Sequence, residues 1–426
     1  LGNEQKRFFS VLEENDFNVK TSFSYKLPDN LGKNNSQLQI GYSGRFLTDN
    51  FEASDYDSNP VSGYFDVGNL KMDEHYNQEN LKSGAFWVEY GYNKYDVTKY
   101  IHSLYAEAAY QLSSTFTANM GVKADKTIIY VNYDVNKGGD RGGTTLKPLY
   151  ILPSMNLKYN LNEKNIIRFG ASKTYTLPQS KEISPYIYIG LNFKSQGNRN
   201  LKPSENYNID LKWDYYPSAP ELISINPFYK HIVNPIVRDE RGGSANLLTY
   251  NNISDYATVA GIELETRKNI FAQVNTQSGK VNRLTAGLNA SYIYSRIKFT
   301  KTDNSQSESQ LEGAAPFIAN FDLSHTYSVR NKSFTNSLVL NYFSNRVHTI
   351  GVRPLFNNIV EEGAPALDFV SSAKITKNIS LKLKGSNLLN PSYRLTREGS
   401  SSSAGKLVLS EYKKGMNISL GISCEL

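Results

Sequence analysis

Residues 149–161 read LYILPSMNLKYNL, and every second position carries an apolar side chain, an aromatic ring or proline. Between Ser154 and Asn160 the alternate positions are all polar. Successive side chains of a β-strand point to opposite faces of the sheet. The stretch therefore predicts a strand with one apolar face and one polar face.

The same alternation recurs along the chain. It is found in residues 206–215 (NYNIDLKWDY), 284–294 (LTAGLNASYIY) and 416–426 (MNISLGISCEL). The 3.6-residue spacing of an amphipathic helix does not appear at comparable strength. The chain is therefore predicted to be all-β.

Links between the candidate strands alternate between short and long. The short links lie near residues 28–36, 113–115, 160–165, 217–221, 272–282, 330–333 and 376–379. The long links lie near residues 58–84, 134–147, 178–204, 238–252, 301–319, 348–365 and 394–410. A β-sandwich has no reason to gather every long link at one end, whereas a transmembrane barrel has short periplasmic turns and long extracellular loops. The pattern predicts a transmembrane antiparallel up-and-down β-barrel in a bacterial outer membrane.

Composition agrees with this fold and excludes other classes. Mean hydropathy is −0.48, and no run approaches the roughly 18 apolar residues that a membrane-spanning helix needs. The 30 Tyr and 20 Phe suit the aromatic girdles of a barrel. The net charge of +7 is spread along the chain without a Lys/Arg run, which argues against a nucleic-acid partner. A single cysteine, Cys424, excludes an internal disulfide framework.

The predicted barrel domain, residues 1–426, is incomplete. Seven short and seven long links imply about fifteen strands, whereas single-chain bacterial barrels have an even number. The first candidate strand, near residues 17–28, leads into a short link and so runs from the outer side to the periplasmic side. We therefore expect at least one strand before residue 1, and we place residues 1–16 in an outer loop.

Alternation also predicts which side chains face lipid. The expected lipid-facing residues are Leu157, Tyr159, Ile209, Trp213, Leu288, Ile418 and Leu420. The expected lumen-facing residues are Asn156, Lys158, Asp210, Lys212, Asn289 and Ser419. A shift of the register by one residue would exchange the two sets, so the assignment is a sharp test of the fold.

Several motifs occur in order along the chain. They are residues 26–42 (KLPDNLGKNNSQLQIGY), 101–123 (IHSLYAEAAYQLSSTFTANMGVK), 152–159 followed by 168–178 (RFGASKTYTLP), 197–203 (GNRNLKP), 250–265 (YNNISDYATVAGIELE), 385–391 (GSNLLNP) and 412–426 (YKKGMNISLGISCEL). Together they resemble the barrel of TonB-dependent outer-membrane transporters, particularly those of Bacteroidetes-type bacteria. One departure is the C-terminal residue, Leu426, where the family usually has an aromatic.

The resemblance implies a 22-stranded barrel of which this chain supplies about fifteen strands. It implies an N-terminal plug domain, absent from these residues, that fills the barrel and is pulled by TonB with the energy of the proton-motive force. The expected activity is import of a scarce, bulky solute. Other expected partners are lipopolysaccharide or another outer-membrane lipid, and a surface lipoprotein or a larger outer-membrane assembly.

Two alternatives stay open beside coupled import. One is a structural or scaffolding barrel within a larger assembly that has no transport of its own. The other is a passive porin, which would carry an inward-folded constriction loop with rings of charge. The sequence shows no such loop.

Candidate ligand-binding residues lie in the predicted outer loops, where specificity usually resides. Aromatic rings can stack on sugars, catechols or peptide side chains, and arginines can bind an anion through two hydrogen bonds. The girdle at the membrane interface and solvated loop charge are the competing explanations. The candidates are Tyr56, Tyr64, Phe65, Tyr76, Trp87, Arg141, Tyr186, Tyr188, Arg199 and Arg241.

Metal and catalytic signals are weak. Asp55, Asp57, Asn59 and Asp66 have the spacing of calcium ligands, but Pro60 stands where an EF-hand loop needs glycine. An irregular loop site for calcium is the most that this pattern supports. The S-x-x-K match at residues 371–374 lacks its companion motifs. The protein is therefore predicted to be neither an enzyme nor dependent on a cofactor.

Overall fold

A computed structural model describes residues 6–27, 36–58, 79, 82–83, 86–88, 93–135, 139–190, 193–240, 247–275, 277–300, 307–351, 356–399 and 405–424. Most of these residues are in β-strands, as the alternation predicts. No helix in the described residues is long and apolar enough to cross a membrane.

The strands are numbered in chain order. They are β1 (Lys6–Lys26), β2 (Gln37–Ser58), β3 (Phe86–Val88), β4 (Asn93–Gln111), β5 (Phe116–Val135), β6 (Asp140–Leu146), β7 (Leu149–Asn160), β8 (Asn165–Thr176), β9 (Ile187–Ile189), β10 (Lys194–Gln196), β11 (Ser204–Tyr215), β12 (Leu222–Val233), β13 (Val237–Glu240), β14 (Leu247–Asn251), β15 (Tyr256–Asn275), β16 (Lys280–Lys298), β17 (Glu308–Ser309), β18 (Phe317–Val329), β19 (Lys332–Phe343), β20 (Arg346–Thr349), β21 (Ile359–Glu361), β22 (Pro365–Lys374), β23 (Ile379–Ser386), β24 (Ser392–Glu398), β25 (Lys406–Lys413) and β26 (Asn417–Cys424). A short helix, α1 (Ser180–Ile183), precedes β9.

One antiparallel sheet, which we call the wall, contains 18 strands. Three of them, β3, β6 and β17, are short strands. They pair with β2, β5 and β16, the same neighbours with which β4, β7 and β18 pair. The remaining fifteen follow the order β1-β2-β4-β5-β7-β8-β11-β12-β15-β16-β18-β19-β22-β23-β26. Among the described residues, β1 pairs with β2 alone and β26 with β23 alone. The predicted number of strands is therefore confirmed.

The predicted alternation of links is confirmed as well. Links between neighbouring strands of the wall are short at one end, for example residues 112–115 between β4 and β5 and residues 330–331 between β18 and β19. At the opposite end all seven links are long, and they carry α1 and the strands outside the wall. We call this the outer end, and the other the periplasmic end.

The first strand differs from the prediction. We expected residues 1–16 in an outer loop, but β1 begins at Lys6 and pairs with β2 from Lys6↔Asp57 to Lys26↔Gln37. Glu13 and Asn15 interrupt the apolar alternation, which is why the sequence suggested a loop. Backbone pairing with β2 does not depend on side-chain polarity, so the strand continues through them.

Register places the predicted faces correctly. Residues directly opposite each other in an antiparallel sheet share a face. Tyr159 lies in one such row across eight strands, which continues through Ile167, Trp213, Ile225, Leu264, Ala290, Ala319 and Tyr342. All seven residues predicted to face lipid share this apolar face, and all six predicted to face the lumen lie on the other.

Aromatic residues mark both edges of the apolar face. Toward the outer end, Phe46 packs on Tyr100 with ring centroids 5.1 Å apart, and Tyr100 meets Tyr130 edge-on at 6.4 Å. Toward the periplasmic end, Trp213 stacks on Tyr215 at 6.1 Å. Such belts are typical of the two interfaces of a transmembrane barrel.

Two smaller sheets, each of four strands, form from the long links. One has the order β13-β14-β10-β9 and the other β20-β21-β24-β25. A parallel bridge between Asp239 and Ile350 joins them. The outer end is thus a second layer of structure that connects links far apart in sequence.

Candidate functional site

A segment of the β8–β11 link folds onto the polar face of the wall. We call residues 177–190 and 193–203 the shelf. Ile183 and Tyr186 of the shelf are buried with wall residues Phe51, Tyr95, Ala53, Val97, Ile129, Val131, Tyr133 and Val135. The Phe51 ring lies 5.3 Å from Tyr186 and 5.6 Å from Tyr188. The shelf is therefore attached to the lumen side of the wall mainly by apolar packing.

Local sequence shapes the shelf. Gln179 and Glu182 form a capping box at the start of α1, in which the Glu182 carboxylate accepts from the Gln179 backbone N–H. The Ser180 hydroxyl donates a hydrogen bond to the Asp49 carboxylate of β2. Gly197 closes the turn back against α1, because a Cβ there would lie 1.9 Å from the Ser184 carbonyl oxygen. Only glycine fits at this position without moving the backbone.

The shelf is an inward-packed segment that the sequence did not reveal. It lies on the lumen side of the wall at the outer end, and apolar packing attaches it there. Its attachment was not visible in the sequence, because the partners Phe51, Tyr95 and Tyr133 come from three different strands.

Strand β13 is the meeting point of several other links. The Arg238 guanidinium donates to His348 Nε2 at 3.0 Å and lies 3.4 Å from the Glu312 carboxylate. The Glu312 carboxylate also accepts from the Arg238 backbone N–H. Glu312 belongs to the β16–β18 link and His348 to the β19–β22 link. Arg238 therefore connects three links through directional polar contacts.

Two further contacts fasten the same strand. Arg397 of β24 forms an ion pair with Glu240 at 2.8 Å, and their side chains are 12% and 2% exposed. The Glu240 backbone N–H donates to the Ile350 carbonyl at 2.9 Å. We call β13 together with Glu312, His348, Ile350 and Arg397 the β13 hub. It joins four long links into one unit.

The shelf and the hub are continuous with each other. Strand β10 of the shelf pairs in parallel with β14, the partner of β13. The Asn198 side-chain amide donates to the Tyr250 carbonyl at 3.0 Å and to Asn251 Oδ1 at 2.7 Å. One four-stranded sheet therefore runs from the wall-attached shelf to the hub.

A cleft of about 460 Å³ opens between shelf, wall and hub. Its size lies within the range of small-molecule sites. The lining combines apolar contact with carboxylate, guanidinium, amide and hydroxyl groups. The lining residues are Thr176, Leu177, Gln179, Glu182, Ser204, Asn206, Ile232, Pro235, Ile236, Val237, Arg238, Tyr250, Leu311, Glu312 and Gly313.

Burial and charge set the protonation of the groups around Arg238. Burial, together with the nearby Arg238 charge, lowers the pKa of His348 to about 4. The imidazole is then neutral at pH 7 and accepts the hydrogen bond from Arg238 through Nε2. Burial raises the pKa of Glu312, and the charge of Arg238 opposes this shift. Burial, and then Arg238, lower the pKa of Lys181 on the shelf.

The structure brings together part of the predicted ligand set. Tyr186 is 3% exposed inside the shelf packing, and the hydroxyls of Tyr188 and Tyr95 lie 3.0 Å apart. Arg199 donates to the Tyr133 hydroxyl at 2.6 Å. Arg141 is exposed and paired with Asp134 at 2.5 Å. These four residues lie in or beside the shelf, and their roles in binding stay predictions.

The other predicted residues lie largely outside the described part of the chain. Tyr64, Phe65, Tyr76, Arg241, Asn59 and Asp66 fall outside it, and for Tyr56, Trp87, Asp55 and Asp57 only the backbone is described. Asp55 and Asp57 lie in strand β2, which extends to Ser58, where a loop was expected. The described residues contain no group of His, Cys, Asp and Glu arranged to hold a metal.

The partners of Arg238 could not be identified from the sequence. Glu312 lies 74 residues from Arg238 and His348 lies 110 residues from it. Arg397 and Glu240 are 157 residues apart. No local spacing signals contacts over such distances.

An antiparallel wall with an apolar belt, aromatic edges and long links at one end defines an outer-membrane β-barrel. A family model described as "TonB dependent receptor-like, beta-barrel" matches residues 3–388. The chain therefore belongs to the TonB-dependent receptor family and is an outer-membrane protein. Bacteroidetes-type origin stays a prediction. A search of curated protein sequences finds no match.

Solved structures share this fold at low sequence identity. The ferric yersiniabactin uptake receptor FyuA from Yersinia pestis aligns with a TM-score of 0.62 and 11% identity over 98% of this chain and 55% of its own. The siderophore receptor PiuA from Acinetobacter baumannii gives 0.63 and 12% over 97% and 56%. The copper transporter OprC gives 0.62 and 13% over 98% and 57%. This chain thus spans just over half the length of these proteins.

Proposed function

We propose that this chain is the barrel portion of a transporter that imports a scarce, bulky solute, coupled to TonB and the proton-motive force. Family membership supports the reaction class. The observation that carries the proposal for a binding role is the cleft at the outer end. It is roomy enough for a small solute and is lined by groups from the wall, the shelf and the β13 hub.

The solute is proposed to bind at the outer end against Arg238 and the polar groups near it. Arg238 Nε is buried without a hydrogen-bond partner in the described structure, and the Arg238 side chain remains 27% exposed. Arg238 lines the cleft, so a solute oxygen there can accept a hydrogen bond from the exposed part of this side chain. Arg199 and Tyr188, at the edge of the shelf, are proposed to extend the same binding surface.

The lumen face supports the further proposal of a plug domain as a partner. Asp214 is 2% exposed and forms ion pairs with Arg168 and with Lys212, the latter at 3.7 Å. Asn208 bonds Ser172 at 3.3 Å. Such groups suit contact with water or a polar domain better than a dry core. A preceding plug, and the segment that TonB grips, are proposed on family grounds.

The decisive experiment measures uptake by cells with and without functional TonB, at solute concentrations too low for diffusion to suffice. A panel of an iron chelate, cobalamin, a peptide and a glycan covers the solute classes that the family expectation leaves open. Coupled import predicts accumulation of one of them that depends on TonB. Equal accumulation of all four in both strains would refute the proposal and favour a scaffold or porin role.

A second measurement separates binding from coupling. Arg238→Gln keeps much of the side-chain volume but removes the guanidinium, and we expect at least a tenfold loss of affinity for the transported solute. The matched control is Arg394→Gln, which alters an arginine of another long link that is paired with Glu411 at 3.1 Å. Equal affinity of the two variants would move the binding site away from the cleft and leave the transport proposal standing.

A further inference from the structure

The lipid-facing side of the wall carries a depression that the transport proposal does not use. It lies across β1, β2, β4 and β5 and has a volume of about 560 Å³. Two alanines, Ala106 and Ala124, form its floor between the longer side chains of Phe23, Ile40 and Leu104. Ala106 is opposite Ile40 and Val122, and Ala124 is opposite Leu104, so short and long side chains alternate across the strands. The result is an apolar groove in the membrane-facing surface.

Polar groups lie directly above the groove, toward the outer end. His102 and Lys126 are opposite each other on β4 and β5, one register step above Leu104 and Ala124. The Tyr42 hydroxyl lies 2.7 Å from His102 Nδ1. Gly44 allows this, because a Cβ there would lie 2.7 Å from the Tyr42 hydroxyl oxygen. The polar row ends just below the aromatic belt of Phe46, Tyr100 and Tyr130, at the height expected for the inner edge of the headgroups.

Two lysines lie beside this row. Lys126 Nζ donates to the Lys147 backbone carbonyl at 3.1 Å. Lys147 Nζ lies higher, 6.0 Å from the centre of the Tyr130 ring. Among the residues that the structure describes, neither lysine is paired with a carboxylate. Two other lipid-side cations at the outer end are paired: Lys173 with Glu205 at 2.6 Å, and Arg296 with Glu308. The charges of Lys126 and Lys147 beside the groove lack such a partner among the described residues.

We propose that this surface is a specific site for a membrane lipid of the outer leaflet whose headgroup carries phosphate. One acyl chain lies in the groove over Ala106 and Ala124. The phosphate binds the ammonium groups of Lys126 and Lys147 beside the His102–Tyr42 pair. The vertical order of the groups matches that of a lipid, with charge at the interface and hydrocarbon below it.

The test uses the full-length protein in detergent and native mass spectrometry with two lipids of identical chains. Dioleoyl phosphatidic acid carries the phosphate, and dioleoylglycerol lacks it. We expect phosphatidic acid to bind at least tenfold more tightly. Inorganic phosphate at the same concentration should not displace it, because the acyl chain contributes to binding. Equal binding of the two lipids, or displacement by inorganic phosphate, would overturn the proposal.

Variants locate the site. Lys126→Ala should weaken phosphatidic acid binding about tenfold and leave dioleoylglycerol binding unchanged, because it removes one ammonium group that binds the phosphate. The matched control is Lys268→Ala, a lysine on the same face of the wall near the periplasmic end. Ala106→Leu fills the groove and should weaken both lipids. A Lys126→Ala protein that binds like the Lys268→Ala protein, or an Ala106→Leu protein that binds both lipids normally, would contradict the assignment.

Discussion

The shelf and the β13 hub are two regions of the same outer end, held in place by different physics. The shelf lies on the wall through aromatic and aliphatic side chains such as Phe51, Ile183 and Tyr186. The hub has an apolar underside too, formed in part by Val237 and Ile350, but its links are joined by directional contacts of Arg238 and Glu240. Apolar packing is non-directional and does not depend on pH, whereas buried ion pairs and hydrogen bonds depend on direction and on protonation. The comparison therefore predicts that conditions which disturb ion pairs weaken the hub and leave the shelf attached.

The largest effect is expected at the shelf. Phe51→Ala removes the ring that contacts Tyr95 at 4.7 Å and Tyr186 at 5.3 Å. Loss of a buried phenyl ring costs about 3–5 kcal/mol, and here the cost falls on attachment of the shelf, because the ladder of the wall is unaffected. Hydrogen exchange at residues 180–189 should become faster while exchange in β11 and β12 stays unchanged. Unchanged protection of the shelf would mean that something other than this packing holds it.

A somewhat smaller effect is expected at the hub. Arg397→Ala leaves the Glu240 carboxylate buried without its partner, which costs about 3–5 kcal/mol in a dry interior. We expect about 3 kcal/mol, at the low end, because Arg397 is 12% exposed and water can reach the carboxylate. Exchange should become faster in β13 and β20 and stay slow in the shelf. The matched control is Arg394→Ala in the same strand, whose exposed pair with Glu411 is worth at most about 1 kcal/mol.

Lowering the pH should destabilise the hub more than the shelf, without any mutation. The pKa of His348 is lowered to about 4, whereas an imidazole released to solvent binds a proton below about pH 6.5. Falling pH therefore favours the released state through the window from about 6.5 to about 4, by up to about 1.4 kcal/mol per pH unit. The raised pKa of Glu312 acts in the opposite direction, because the buried carboxyl keeps a proton at pH values above 4.5 at which a released carboxyl has lost it. We expect a net loss of about 1–2 kcal/mol in hub stability by pH 5.

The measurement is hydrogen exchange of residues 346–350 between pH 7 and pH 5, corrected for the intrinsic rate. His348→Gln keeps an acceptor for Arg238 but does not titrate. In this variant the exchange rates of residues 346–350 should depend much less on pH. The shelf should show no comparable dependence. A pH profile that is the same in the His348→Gln variant would assign the effect to another group.

The smallest effect is expected outside both regions. Arg141 is 77% exposed and bonds Asp134 across the β5–β6 hairpin. Surface pairs of this kind contribute about 0–1 kcal/mol, so Arg141→Ala should change thermal stability by less than about 0.5 kcal/mol. A larger loss would show that the Arg141–Asp134 pair itself supports the contacts of the hairpin with the shelf, and would weaken the contrast between shelf and hub.

Sequence alone was sufficient for the wall. In the row through Tyr159 and Trp213, alternation identified the lipid face because burial in a membrane selects side chains at every second position. The short links followed from the same pattern. Glu13 and Asn15 misled the reading of β1, since pairing with β2 depends on backbone groups that a sequence does not display.

The candidate site could be predicted only in part. Arg199 and Tyr188 were proposed because they lie in a long link, where binding residues concentrate. The structure places both at the shelf, and their role in binding stays a prediction. Glu312, His348 and Arg397 were not identified as site residues, because each is defined by a contact with a residue on another link. Their contacts depend on how the strands of the wall bring those links side by side, which composition and spacing do not encode.

The hub also bears on the order in which the protein is assembled. Neighbouring strands such as β18 and β19 are joined by two-residue turns, so their pairing closes small loops and is fast. Arg397 and Glu240 close a loop of 157 residues, and such a contact forms late because its chain entropy must be overcome first. A newly inserted wall would therefore pass through a stage in which its strands are paired but the long links at the outer end are not yet joined by the β13 hub. During that short interval, proteases outside the cell could cleave the β12–β15 and β23–β26 links.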